Sequence, residues 1–179
     1  MLSDTRSTDV AIRRAGPADA ADLAEFGART FFDAFGADNT PENMALYLAR
    51  TYGAAQQATE IANPAMATIV AESDGRMAGF AQLREGPHPE SVHGDSTIEL
   101  LRFYVDSSWH GRGLARALLS AVDDEAARRG ATVLWLAVWE RNERAKAFYR
   151  KCGFADVGSS IFVLGADQQS DRVMARPIP

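Results

Sequence analysis

The chain has 179 residues, of which 46% are hydrophobic and 24% are charged, and its net charge at pH 7 is −5. These totals are typical of one soluble globular domain, and the modest number of Lys and Arg residues disfavours a nucleic-acid-binding surface. Because Cys152 is the only cysteine and no apolar run reaches membrane-spanning length, we expect a cytoplasmic protein without a disulfide or a membrane contact.

Hydrophobic periodicity predicts a flexible tail at residues 1–8 and a single domain at residues 9–179. In chain order the predicted elements are a strand at 10–13, helices from 17, from 41 and over 54–62, strands at 66–71, 77–83 and 97–105, a helix at 114–129, a strand at 132–138, a helix at 142–151, and strands at 154–164 and 172–175. The strand, helix and strand over 97–138 predict a parallel crossover between antiparallel hairpins. The fold class is therefore mixed α/β, with helices on both faces of a mostly antiparallel sheet.

Several local residues predict where these elements begin and end. Thr40 before a proline and Asn142 are helix-capping residue types, and Gly153 is suited to a left-handed helix stop. Asp74-Gly75 predicts a tight hairpin turn.

The stretch 99–119 contains the clearest binding motif, in which a predicted strand, a glycine-containing loop and a predicted helix follow one another. Gly111 and Gly113 would let the backbone turn tightly and approach a ligand, and Arg112 and Arg116 add positive charge. Unpaired amides at the helix start form an anion site, so a diphosphate is the expected guest.

Two nucleotide-binding motifs are excluded at this loop by the residues that follow Gly113. A P-loop needs Lys and then Ser or Thr, whereas Leu114 and Ala115 occur here. A dinucleotide fingerprint needs Gly or Ala three residues after Gly113, where Arg116 stands. Residues 99–119 alone are also consistent with an ordinary strand-to-helix turn that binds no anion.

A second motif lies downstream and reads Asn142-x-x-Ala145-x-x-Phe148-Tyr149-x-Lys151-x-Gly153-Phe154. Together with the loop His110-x-x-Gly113-x-Ala115, it resembles the GNAT N-acetyltransferase superfamily. The resemblance implies the GNAT fold, a sheet of about seven strands whose central parallel pair is splayed for CoA. It also implies acetyl-CoA as co-substrate and no metal.

The same resemblance implies that the loop amides hold the CoA pyrophosphate and that the preceding strand pairs with the pantetheine arm. The implied cofactor-binding residues are Phe103, Tyr104, Val105, Gly111, Arg112, Gly113, Leu114, Ala115, Arg116, Asn142 and Tyr149. His110 departs from the Gln or Arg usual at the first loop position. Because backbone amides should do most of the phosphate binding, we expect CoA binding to survive this change.

From about Ile12 to Met174, the chain is similar to the PaiA-type spermidine/spermine N-acetyltransferases. The similarity is carried by the blocks Thr30–Phe35, Asn39–Met44 with Tyr47-Leu48, and Trp135–Glu143. It implies a small-molecule amine acceptor, with polyamines favoured. Asp33 and Glu42, with Asp38, could then read the ammonium groups; alternatively they are ordinary helix-start and loop acids.

Acetyl transfer to an amine requires a base, a donor to the developing oxyanion and an acid for the departing thiolate. A backbone N–H near the end of the 97–105 strand is the expected oxyanion donor. The resemblance makes Tyr149 the candidate acid. Glu99 is the candidate base, because strict alternation would place Glu99, Leu101 and Phe103 on one face toward the acceptor. Alternatively, Glu99 is a solvated residue at the mouth of the cleft.

Two other functions are also consistent with the sequence. The acceptor could instead be an amino acid, a protein lysine or N-terminus, or an aminoglycoside. The chain could also be an acyl-CoA-binding sensor with little turnover, although Tyr149 favours an enzyme. His88 and His93 have no metal-ligand neighbours in the sequence. The family resemblance leaves open a homodimer.

Overall fold

The computed structural model describes residues 9–179, so the predicted tail at residues 1–8 lies outside the described part of the chain. The helices are α1 (Ala20–Phe35), α2 (Pro41–Thr51), α3 (Ala54–Ala62), α4 (Leu114–Arg128) and α5 (Glu143–Lys151). The strands are β1 (Val10–Arg14), β2 (Met66–Ser73), β3 (Arg76–Arg84), β4 (Thr97–Val105), β5 (Val133–Trp139), β6 (Ala155–Leu164) and β7 (Asp167–Pro177). None of these helices is long and apolar enough to cross a membrane.

The strands form one sheet of seven, in the order β1-β2-β3-β4-β5-β7-β6. Every neighbouring pair is antiparallel except β4 and β5, which are parallel and are linked by α4. This arrangement confirms the predicted mixed α/β fold, including the single parallel crossover.

The parallel pair separates soon after it begins. The register of β4 and β5 ends at Glu99 opposite Trp135, after only three residue pairs. Beyond this point the β5-facing edge of β4, from Leu100 to Val105, has no strand partner within residues 9–179. The predicted splay is confirmed, and it opens the sheet in its centre.

Each face of the sheet carries its own hydrophobic layer. On one face, α4 buries Leu118 and Val122 completely, and α5 adds Tyr149 to the same core. On the other face, α1 contributes Leu23 and Phe26, which pack with Phe80 of β3. The two layers hold the diverging strands β4 and β5 between two groups of helices.

Capping residues place the helix starts where the sequence predicts them. The Thr40 side chain accepts a hydrogen bond from the Asn43 amide at 3.3 Å, and Asn142 accepts one from the Ala145 amide at 3.1 Å. Gly153 has a φ of 89°, the left-handed conformation predicted for the end of α5. These boundaries depend on contacts within a few residues of the chain.

The predicted strand faces are wrong in β4, because the strand contains a bulge. Gln82 of β3 lies opposite Arg102, but Leu83 lies opposite Leu100, so Leu101 is an extra residue. An extra residue reverses the alternation of faces on either side of it. Glu99 therefore lies on the face of α1–α3, whereas Phe103 lies on the opposite face and stacks on Phe148 of α5 at 5.9 Å.

The last strand is longer than the sequence predicts. The pattern indicates residues 172–175, but β7 begins at Asp167, directly after a turn in which Gly165 has a φ of 62°. Polar residues such as those at 167–171 have low strand propensity, and hairpin pairing with β6 overrides that preference. As a result, Asp171 becomes a strand residue between Trp139 of β5 and Ser160 of β6.

Candidate active site

A cleft of about 980 Å³ occupies the place where β4 and β5 diverge. Its size is at the upper end of the range for small-molecule sites, about 300–1,000 Å³. It runs from the starts of α4 and α5 to the end of α1. The predicted cofactor-binding residues that line it are Phe103, Tyr104, Val105, Gly111, Gly113, Ala115, Arg116, Asn142 and Tyr149, and Asp33, Asp38 and His110 line it as well.

The loop before α4 has the geometry of an anion site. Gly111 and Gly113 have φ angles of 76° and 83°, which other residues rarely adopt. A Cβ atom added at either glycine would meet no protein atom within 4 Å, so both positions face open space. The first amides of α4, starting at Leu114, have no partner within their own helix. Both the backbone and the open space therefore fit a diphosphate group.

Side chains around Asp106 fix the loop on the end of β4. The Asp106 carboxylate accepts hydrogen bonds from the Ser108 amide at 2.9 Å and the Ser108 hydroxyl at 2.6 Å. It also pairs with Arg29 of α1 at 2.8 Å. Hydrogen bonding from Ser108 is the main cause that holds the pKa of Asp106 below its ordinary value. The anion loop is thereby tied to α1, the helix that ends at the other side of the cleft.

His110, the residue that differs from the family motif, forms a hydrogen bond within the loop. Its Nε2 atom lies 3.1 Å from the Val105 carbonyl oxygen, to which it must donate because a carbonyl only accepts. This bond closes the turn between β4 and α4, in agreement with a loop role for the residue.

The two loop arginines differ in their positions. Arg116 lines the cleft, whereas the Arg112 guanidinium lies over the Trp109 ring at 5.6 Å and does not line it. The Leu114 side chain is buried in the core, so only its backbone is available to a ligand at the helix start. Positive charge at this end of the cleft therefore comes from Arg116 and the helix amides, and Arg141 and Arg144 beside the start of α5 also line the cleft.

Tyr149 reaches the cleft from within the core. Its ring packs edge-on against Phe103, Phe148 and Phe154 at 6.3, 5.4 and 5.5 Å between ring centres. Burial is the main cause that raises the pKa of Tyr149 above its ordinary value. At neutral pH the cleft therefore holds a protonated phenol that can act as a proton donor.

Glu99 is placed differently from the sequence expectation. Its carboxylate pairs with the Arg84 guanidinium at 2.6 Å, and it is not among the residues that line the cleft. Burial raises the pKa of Glu99, and the nearby charge of Arg84 opposes this shift. The bulge at Leu101 explains the position, because it separates the face of Glu99 from that of Phe103.

At the acceptor end of the cleft, the structure separates the predicted carboxylates. Asp33 and Asp38 line the cleft near the end of α1. Glu42 is exposed in the first turn of α2 and does not line it. Of the predicted substrate-binding residues Asp33 and Glu42, the structure thus brings only Asp33 to the cleft. No group of three or more His, Cys, Asp or Glu side chains within residues 9–179 could hold a metal ion.

The sequence reasoning missed Asp171, which is only 7% exposed. Burial, followed by the nearby Glu140 carboxylate, raises the pKa of Asp171 to about 6. Its Oδ1 atom has no hydrogen-bond partner among the described residues. One signal could have revealed it: Val173 and Ala175 alternate toward one face, and extending that pattern back by two residues reaches Asp171.

A model of the acetyltransferase (GNAT) family matches residues 29–154. An uncharacterised N-acetyltransferase of Lactobacillus delbrueckii subsp. lactis is 35% identical over 160 residues, which cover 88% of this chain and 92% of that protein. The ribosomal protein bS18-alanine N-acetyltransferase of Escherichia coli K12 is 33% identical over 107 residues, which cover 59% of this chain and 67% of that enzyme.

Among solved structures, the PaiA N-acetyltransferase of Thermoplasma acidophilum in complex with coenzyme A is similar with a TM-score of 0.77. It is 20% identical in sequence, and the match covers 94% of this chain and 99% of that one. The fold and the family match together define an enzyme of the acyltransferase class. The chain belongs to the acetyltransferase (GNAT) family of N-acetyltransferases.

Proposed function

We propose that this N-acetyltransferase moves the acetyl group of acetyl-CoA to a primary amine of a polyamine such as spermidine or spermine. The observation that carries the proposal is one continuous cleft with two ends of different chemistry. Helix amides and Arg116 provide an anion site at one end, and Asp33 and Asp38 provide carboxylates at the other. Direct attack of the amine on the bound donor, in a ternary complex, fits this arrangement.

The donor supplies an activated acetyl group, and the residues of the cleft would bind and orient it. Backbone amides at Gly111, Gly113 and the start of α4 would bind the diphosphate, assisted by Arg116. The free edge of β4 from Phe103 to Val105 offers backbone groups for the amides of the pantetheine arm. Asn142 caps α5 and lines the same cleft, so its side chain has both roles available.

Proton transfer at the two reacting groups needs separate residues. Tyr149 would donate its proton to the departing sulfur, because its raised pKa keeps the hydroxyl protonated. An alkylammonium has a pKa of about 10.4, so the acceptor must lose a proton before it attacks. Glu99 could serve as base only through a proton relay, since it does not line the cleft. Asp33 and Asp38 reach the cleft directly and would receive the positive charges of the amine.

The test is release of free CoA thiol from acetyl-CoA with a panel of amines. The panel contains spermidine, spermine, free amino acids, an aminoglycoside and a peptide with an N-terminal alanine. We expect the highest kcat/KM with the polyamines. If another amine is preferred by tenfold or more, the polyamine proposal is wrong while the enzyme class stands. If no amine releases thiol although acetyl-CoA binds, a sensor role replaces catalysis.

A protein α-amine is the second candidate acceptor. The observation that favours it is the 33% identity to the bS18-alanine N-acetyltransferase of Escherichia coli. The alanine peptide in the same panel tests it. Acetylation of the peptide, with polyamines inactive, would select this candidate.

A further inference from the structure

Five aromatic rings contact one another in series beside the cleft, from β5 across α1 and α2 to β6. Trp139 lies 6.0 Å from Phe35, Phe35 lies 4.7 Å from Phe31, and Phe31 lies 4.4 Å from Tyr47. Tyr47 lies 5.4 Å from Phe162, which completes the series. Except for the buried Phe31, these rings are only half-buried, so part of each of the other four remains accessible.

Asp171 lies between the two ends of this series. It is the register partner of Trp139 on β5, and directly opposed residues of antiparallel strands share one face. On its other side it is paired with Ser160, two residues before Phe162 on the same face of β6. Asp171 therefore lies on the same face of the sheet as the two end rings of this series, of which Trp139 and Phe35 also line the cleft.

The charges around Asp171 do not neutralise it. Its Oδ1 atom has no hydrogen-bond partner within residues 9–179, and the group that acts on it by charge is the Glu140 carboxylate. Burial is the main cause that raises the pKa of Tyr47 on α2, and the charge of Asp171 contributes to this shift. The neighbouring Arg172 is engaged with Asp156 at 2.7 Å. An unpaired buried carboxylate is costly, and an incoming cation would remove that cost.

We propose that Asp171 and the rings of Trp139, Tyr47 and Phe162 form a receptor for a second positive charge of the acceptor, a charge that is not on the reacting amine. Aromatic faces attract ammonium groups, and the carboxylate supplies the opposite charge. The receptor selects di- and polyamines over monoamines. This inference rests on the proposed amine-acetylating function, and it names the feature by which polyamines are chosen.

The experiment measures kcat and KM with spermidine, 1,4-diaminobutane and butylamine, which carry three, two and one amine groups. The variant is Asp171→Asn, which keeps the shape and removes the charge. The matched control is Asp74→Asn in the β2–β3 turn, which removes the same charge far from the cleft. Asp74 has a φ of 51°, a conformation that Asn tolerates.

We expect Asp171→Asn to raise KM for spermidine and 1,4-diaminobutane by about tenfold or more, the size of a lost charged hydrogen bond. KM for butylamine, and the affinity for CoA measured by calorimetry, should change by less than about twofold, within the range of a substitution remote from their contacts. Phe162→Leu, which removes a ring of the same receptor, should reproduce the selective loss.

The results with the variants and with the unmodified enzyme test the receptor and the polyamine proposal separately. An unchanged KM for the diamines in Asp171→Asn overturns the receptor. An equal fall in kcat with butylamine and diamines also overturns it, because Asp171 would then act on the reacting amine. If the unmodified enzyme acetylates no polyamine or diamine, the polyamine proposal fails first. Selective loss in both variants, with Asp74→Asn unchanged, supports the receptor.

Discussion

Arg84 and Glu99 form a cross-strand ion pair, with 2.6 Å between the guanidinium and the carboxylate. The two residues are register partners on β3 and β4, on the face opposite to Phe103. The ion pair engages the Glu99 carboxylate, which the sequence predicts as the general base, and Glu99 does not line the cleft.

The first prediction concerns this pair. Because Glu99 does not line the cleft, Glu99→Gln should change kcat by less than about threefold, far below the roughly 10²-fold or greater effect of losing a general base. Steady-state rates across pH 6 to 9 provide the measurement. A hundredfold loss that is confined to low pH would instead restore Glu99 as the base acting through a relay.

The second prediction concerns Tyr149. Removal of the hydroxyl in Tyr149→Phe should lower kcat by about tenfold or more and leave the affinity for CoA unchanged, since the proton acts only on the departing sulfur. Stopped-flow thiol release and calorimetry measure the two quantities separately. Tyr52→Phe is a suitable comparison, because it deletes a buried hydroxyl that lies outside the cleft lining and outside the proposed receptor. Equal rates for the enzyme and Tyr149→Phe would remove Tyr149 as the acid.

The third prediction concerns the anion loop. Gly113→Val should weaken CoA binding by about tenfold or more, the loss expected when backbone amides can no longer reach a charged group. The added side chain would also strain a φ of 83° and fill the open space that faces the ligand.

A matched control separates these two effects. Gly130 has a φ of 77° and also has no atom within 4 Å of an added Cβ, but it lies at the far end of α4. Gly130→Val should therefore carry similar strain and bind CoA normally. If Gly113→Val retained normal affinity, the diphosphate would have to bind elsewhere.

The fourth prediction concerns the pH dependence of stability. Burial raises the pKa of Asp171 from 3.8 to about 6, so the folded protein holds this proton at pH values where the unfolded chain has lost it. The contribution of Asp171 to stability is therefore fully present below about pH 4 and is lost as the pH rises through 6.

Asp171→Asn should remove this loss of stability at higher pH, because Asn does not titrate. Its stability relative to the unmodified protein should increase between pH 4 and pH 7, by on the order of 2 kcal/mol. Urea unfolding at several pH values measures the difference. A difference that does not vary with pH would show that Asp171 has an ordinary pKa in the folded state.

The residues that the sequence placed correctly act through near neighbours. Thr40 and Asn142 cap their helices through amides three residues away, and Gly113 adopts a left-handed φ at the start of α4. The helical period of α5 predicts the face of the helix on which Tyr149 lies. Each of these positions depends on backbone geometry within one or two turns, so the order of strands and helices and the anion loop follow from the sequence.

Other features depend on pairing between distant segments. The bulge at Leu101 moves Glu99 to the face opposite Phe103, and no residue near Leu101 predicts it. The polar run before Arg172 becomes strand because β6 pairs with it, and β5 pairs with its last residue, Asp171. Glu42 remains outside the cleft although Asp33 lies in it.

The sequence by itself therefore determined the fold class, the anion loop and the position of Tyr149, because periodicity and capping are local properties. Only the tertiary structure decided which carboxylates face the acceptor. Asp171 meets Trp139 across strands that are 32 positions apart in sequence. Such a contact is fixed by strand register, and register is set by the packing of the whole sheet.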